Sequence, residues 1–109
     1  MNNIFLMQAN ICKTLANPRR LEIIEALHDD ELNATQLIQK IGISKANLSQ
    51  HMSILIQKGV VLSRREGLNV YYKLSDERIK KACDLMRELL IKNLEQNSSI
   101  LKDIKNSGK

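Results

Sequence analysis

In the run Asn33-Ala34-Thr35-Gln36-Leu37-Ile38-Gln39-Lys40-Ile41-Gly42-Ile43-Ser44-Lys45-Ala46-Asn47-Leu48-Ser49-Gln50-His51, two helices are written with a turn between them. Asn33 and Gln36 have the spacing of a capping box, with Asn in place of the usual Ser or Thr. Leu37, Ile38 and Ile41 supply an apolar stripe, and Gly42 is the residue best able to take the left-handed turn that ends such a helix. Ser44 can cap the next helix, which turns Leu48, Met52 and Leu55 inward and stops at Gly59. The pattern predicts a helix-turn-helix, whose second helix can enter a DNA major groove with its N-terminal residues on base edges.

Beyond Gly59 the hydrophobic period changes from 3.6 to 2. Val60 to Arg65 and Asn69 to Leu74 are rich in β-branched and aromatic residues around Glu66-Gly67, which predicts a hairpin. Ser75 is expected to cap a last helix with the stripe Ile79, Cys83, Met86, Leu90 and Leu94; Asn97-Ser98-Ser99 weakens it before Leu101 and Ile104 resume its phase. On the other side, Ile4, Met7, Ile11 and Leu15 mark a first helix over about residues 3–15. Asn17-Pro18 then begins a second helix with Leu21, Ile24 and Leu27 on one face, Asn17 as its N-cap and Pro18 at its first position. His28-Asp29-Asp30-Glu31 is a polar break, expected to be a solvated turn. The fold class expected is mainly α with a β-hairpin wing: a five-helix winged helix-turn-helix, in one domain over residues 1–105 with a flexible tail at 106–109.

A chain of 109 residues with one Phe, two Tyr and no Trp must build an aliphatic core. Its net charge of +5 is strongly localised. From Lys40 to Lys73 stand Lys40, Lys45, Lys58, Arg64, Arg65 and Lys73 against the single acid Glu66, and the rest of the chain balances. A localised basic field suits a polyanion. No apolar run is long enough to span a bilayer, and the start lacks the basic segment of a secretory leader. Cys12 and Cys83 are too few for a secreted disulfide framework, so the expected location is the cytoplasm. There is no Gly-rich phosphate loop, nucleophile elbow or His–carboxylate cluster beyond the polar break, so neither an enzyme nor a cofactor is expected.

In the first turns of the second helix of the motif, Leu48 anchors the core face and the other side chains are short, polar and free of acids. Lys45, Asn47, Ser49 and Gln50 are the candidates for base-proximal contacts: Lys for phosphate or guanine, the amides for adenine, Ser for backbone or base. Ser44, His51, Arg64 and Arg65 are candidates for phosphate or wing contacts, the hairpin tip projecting through Gly67. As a metal ligand His51 has no partner at i+3 or i+4. Arg19 and Arg20 could touch phosphate, although arginines in a helix's first turn more often lie solvated.

The stretch Thr14-Leu15-Ala16-Asn17-Pro18-Arg19-Arg20-Leu21-Glu22-Ile23-Ile24 resembles the opening signature of the ArsR/SmtB winged-helix repressors. Ser44 to His51 with Leu55 and Lys58-Gly59-Val60-Val61 resembles their recognition helix and its exit. Arg64-Arg65-Glu66-Gly67 with Val70-Tyr71-Tyr72-Lys73-Leu74 resembles their wing, so the likeness spans about residues 10–93. It implies a homodimer paired through the first and last helices, bound to double-stranded DNA at a pseudo-palindromic operator and released by a small inducer or metal.

The chain departs from the family's metal sites. The stretch matching the arsenic-type Cys-x-Cys site, Glu31 to Leu37, holds no thiol. In the zinc-type site Asp76 remains, but the His position is Arg78 and the second pair falls near Leu89 and Lys92. The cysteine positions of sulfur-responsive members fall near Glu25 and Ile91. No metal is therefore expected. Cys12 and Cys83, on the first and last helices, have two readings. They are buried small apolar residues, the commoner fate and the one favoured. Alternatively they form a thiol switch, made reactive by nearby lysines and answering oxidation, persulfidation or a thiophilic ligand. The function expected is a homodimeric, sequence-specific repressor with a small inducer of unknown identity. The alternative is a winged-helix module for protein interaction or non-specific nucleic-acid binding.

Overall fold

The computed structural model describes residues 3–107. The elements run α1 (Ile4–Leu15), α2 (Pro18–Ala26), β1 (Leu32–Asn33), α3 (Ala34–Ile41), α4 (Lys45–Gln57), β2 (Val61–Glu66), β3 (Asn69–Leu74) and α5 (Glu77–Ser107). The helix-turn-helix is α3 and α4, the wing is β2 and β3, and the fold class is the expected winged helix-turn-helix.

Local chemistry places most of these boundaries. Asn17 accepts from the Arg20 amide at 3.1 Å with Pro18 in the first helical turn. Asn33 and Gln36 exchange both capping-box bonds, at 2.9 and 2.8 Å. Ser44 Oγ accepts from the Asn47 amide at 3.1 Å. Gly42 closes α3 at φ 65°, left-handed backbone that a β-carbon would strain.

Ile23 and Ile24 of α2 and Leu27 at its C-cap pack with Leu37, Ile43, Leu48, Met52, Leu55, Val60 and Val61 into one aliphatic core. The inward face of α2 is thus Ile23, Ile24 and Ala26, and Leu21, expected on that face, is 39% exposed. Ile24 and Leu27 of the expected stripe are buried, and Ile23 joins them on the packed face; only Leu21, in the first turn of the helix, lies outside the core.

Three further differences have physical causes. The sheet has three strands in the order β1-β3-β2, Leu32 and Asn33 pairing with Tyr72 and Tyr71. Two residues are too few to show alternation, and Asn33 serves as both strand end and helix cap. Ser75 does not cap α5: its hydroxyl donates to the Gly59 carbonyl at 2.6 Å, closing the wing's base. Asp76, one residue later, takes the cap by accepting from the Arg78 amide at 2.8 Å. Finally, α5 passes unbroken through Asn97-Ser98-Ser99 and includes Asn106 and Ser107, expected in a flexible tail; Gly108 and Lys109 lie outside the described residues. Ser and Asn cost a helix only tenths of a kcal/mol each, about 0.5 relative to Ala, so three do not end one.

Candidate nucleic-acid interface

Leu48, Met52 and Leu55 bury one face of α4, which leaves Lys45, Ala46, Asn47, Ser49, Gln50 and Ser53 exposed along its N-terminal half. Lys45, Asn47, Ser49 and Gln50 therefore share a continuous polar surface. Ser44 is used at the start of the helix as its cap. His51 is half-buried at the margin between core and polar face.

The two wing arginines point to opposite faces of β2 and have different surroundings. Arg64 donates from Nε to Glu31 at 2.8 Å and from Nη1 to Glu66 at 2.7 Å, and its guanidinium carbon lies 4.7 Å from the Tyr71 ring centre. The bond that Arg64 donates to Glu31, and then that to Glu66, holds the Arg64 pKa above its ordinary value; the first of these keeps Glu31 below its own. Arg64 thus braces the wing against the α2–β1 connection, and Glu31 leaves the solvated turn expected of its neighbours. Arg65, opposite Val70, has no carboxylate partner among the described residues. The same holds for Lys40, Lys45, Lys58 and Lys73, whereas the basic residues of α2 and α5 are largely paired, as in Arg19–Glu22, Lys80–Asp84 and Arg87–Glu25. Of the six basic residues from Lys40 to Lys73, only Arg64 makes a salt bridge among the described residues.

Arg19 and Arg20 are half-buried, and both are engaged with neighbouring helices. Arg19 donates to the carbonyls of Ile41 and Gly42 at 3.2 and 3.4 Å, holding the turn of the motif. Arg20 donates from Nε to the Thr14 carbonyl at 2.6 Å, and its Nη1 lies 3.4 Å from His51 Nδ1. These contacts, with Glu31 and Asp76, are the residues that sequence reasoning missed. The Asn17-Pro18 cap did fix both arginines in a first turn, but which helix end lay beside them is a matter of tertiary packing.

Cys12 is exposed on α1 and Cys83 half-buried on α5, so neither is fully buried. Both line one groove between α1, α2 and α5, with Leu15, Ala26, Met86 and Leu90 among its apolar walls. Burial pushes the Cys83 thiol up, outweighing Arg87 and Lys80, so the expected lysine activation does not operate there. Above this groove Lys80 and Arg87 both reach Glu25, pinning α5 to α2. Phe5, Leu6 and Met7 of α1 and Met86, Leu89, Leu90 and Leu94 of α5 are exposed. Among the described residues, no three His, Cys, Asp or Glu side chains converge as a metal site, and no helix is long and apolar enough to cross a membrane.

The family described as "Bacterial regulatory protein, arsR family" matches residues 17–63, from the α2 cap to the first part of the wing. Over 79 residues the chain is 37% identical to the transcriptional activator HlyU of Vibrio cholerae, covering 72% of this chain and 73% of that one. The crystal structure of Mycobacterium tuberculosis Rv0081 superposes with TM-score 0.79 at 28% identity, over 89% of this chain and 98% of the other. The homodimeric winged helix-turn-helix DNA-binding domain of Mycobacterium bovis Mb0332 superposes with TM-score 0.76 at 28% identity, over 85% and 86%. These relatives are regulators of transcription, not enzymes. With the capping box, turn, recognition helix and wing all in place, the chain belongs to the ArsR family of bacterial transcriptional regulators.

Proposed function

We propose that this regulator is a cytoplasmic homodimeric repressor that occupies a pseudo-palindromic operator and leaves it when a small inducer binds. The observation that carries the reading is a separation of surfaces. The acid-free polar face of α4 and the unpaired Lys45, Lys58, Arg65 and Lys73 fall between residues 45 and 73, whereas most of the exposed large apolar side chains lie on α1 and α5. Lys45, Asn47, Ser49 and Gln50 meet base edges; Ser44, His51 and Arg65 meet phosphates; Arg64 holds the wing that carries Arg65. Pairing through α1 and α5 covers the apolar faces and sets two recognition helices in successive major grooves. The homodimeric state of Mb0332 supports this assembly.

Cys12 and Cys83 share the α1–α2–α5 groove, which supports a thiol-directed inducer acting through the dimer scaffold. With a peroxide as oxidant, one thiol becomes a sulfenic acid as water leaves, and the second thiol displaces a further water to form the disulfide. Reduced and peroxide-treated protein, with Cys12→Ser and Cys83→Ser alongside, are compared for operator affinity; equal affinity in every case removes the thiol reading.

Selection from random duplexes tests the main reading. A specific repressor prefers its site over random duplex by roughly 10³–10⁷ fold. Recovery of no preferred sequence, with steep salt dependence, would establish a non-specific basic module. A promoter reporter separates repression from activation.

A further inference from the structure

Arg20 stands at a junction of three helices. Its amide is held in the α2 cap by Asn17 Oδ1 at 3.1 Å, which fixes where the side chain starts. Its Nε donates to the carbonyl of Thr14, in the last turn of α1, at 2.6 Å, which fixes the plane of the guanidinium. Thr14 is itself buried and donates its hydroxyl to the Asn10 carbonyl at 3.0 Å, so the acceptor is firmly seated. The remaining fork of the guanidinium points Nη1 at His51 Nδ1, 3.4 Å away, on α4.

Arginine carries donors only, so in this contact Nδ1 must be the acceptor. An imidazole that accepts at Nδ1 carries its single proton on Nε2. Arg20 therefore selects one of the two neutral forms of His51, and with it the kind of partner the outer nitrogen can take. Nε2–H is a donor, suited to a phosphate oxygen or a base acceptor; the other tautomer would offer a lone pair that a phosphate repels. The rest of α4 leaves this selection to Arg20, because among the described residues no other makes a hydrogen bond to the His51 ring.

We infer that Arg20 is a positioning residue for DNA recognition: it fixes His51 as the Nε2–H tautomer and thereby makes it a donor at the margin of the recognition helix. The inference rests on the reading of α4 as the recognition helix with His51 at a phosphate. Lysine could reach one of the two acceptors but could not set a plane between them, so this junction requires the planar fork.

Two measurements test it on the full-length protein. The first is the nitrogen and proton NMR signature of the His51 imidazole in the free protein, assigned with His51→Gln. The expected result is the Nε2–H form in the wild type and a mixture in Arg20→Met. A wild-type Nδ1–H form, or an unchanged tautomer in Arg20→Met, overturns the inference. The second is a double-mutant cycle with Arg20→Met and His51→Ala on a selected operator. Each single change is expected to weaken binding about tenfold, the worth of one charge-assisted hydrogen bond, and the double variant no more than the worse single. Additive losses, or full affinity in His51→Ala, overturn it. His51→Ala leaves the Arg20–Thr14 bond in place, so full affinity in that variant overturns the inference even if Arg20→Met is poorly folded. Failure of the wild type to select any sequence would instead defeat the recognition reading, while the tautomer measurement stands on its own.

Discussion

Arg64 and Glu31, 33 residues apart, meet on a single carboxylate oxygen: Nε lies 2.8 Å and Nη2 2.6 Å from Oε1. The pair joins the wing to the connection between α2 and β1, and Tyr71, directly opposite Arg64 on β3, floors the guanidinium. A guanidinium so engaged gives little to a phosphate, whereas its neighbour Arg65 is on the other side of the strand and unpaired.

Arg65→Ala is expected to weaken binding to all DNA sequences alike and to lower the slope of log affinity against log salt by about 0.9, one phosphate contact. Arg64→Ala and Glu31→Gln should leave that slope nearly unchanged and instead loosen the wing, seen as faster amide exchange in β2 and β3. Titrations at several salt concentrations check both; a full phosphate's loss of slope in Arg64→Ala would show that the brace opens onto DNA.

Gln50 sits in the middle of the exposed face of α4. Its amide can bond an adenine edge bidentately, so Gln50→Ala should cost about 1–3 kcal/mol on the preferred site and relax selection at one base position. Repeating the duplex selection with the variant checks this. Uniform weakening across sequences would move Gln50 to the backbone contacts.

The local chemistry of this chain was legible because it is written within a few residues. Asn33 with Gln36, Gly42, Ser44 and the wing turn at Gly67 each act on neighbours, and each stands where the pattern puts it. What could not be read is what packing brings together. Nothing in the spacing of Glu31 and Arg64, or of Arg20 and His51, announces their contact. Asp76 replaced Ser75 as a cap because Ser75 is drawn to the Gly59 carbonyl by the closing of the hairpin, a tertiary event. The candidate recognition residues on α4 could be named from one helix's periodicity, whereas the brace and the strut around them could not.

Acid should loosen the scaffold. Hydrogen bonds from Arg64, Arg78 and Lys80 hold Glu31, Asp76 and Asp84, respectively, below the ordinary carboxylate range. A carboxyl depressed in the folded state stabilises it above the unfolded pKa, and that contribution fades as pH falls through the folded value. Melting temperature is therefore expected to hold near neutrality and to drop below about pH 4, where free carboxylates take up protons. Asp84→Asn, which removes the partner of Lys80 on α5, should lower the neutral value and flatten the acid drop. An unchanged acid slope in that variant would show that the pair adds nothing to folding.

The two thiols should differ in reactivity. The thiolate is the nucleophile, and burial pushes the Cys83 thiol up while Cys12 stands exposed on α1. Iodoacetamide at about pH 7.5 should therefore alkylate Cys12 well before Cys83. Cys12→Ser should abolish the fast phase and Cys83→Ser should leave it intact, with mass spectrometry of proteolytic fragments locating the label. The proposed assembly adds a second condition, because pairing through α1 and α5 would place Cys12 beside the partner. Diluting the protein below its dimer dissociation constant should then speed Cys12 labelling. A rate independent of protein concentration across that range would place Cys12 outside the dimer contact, and a faster Cys83 would mean that the groove opens in solution.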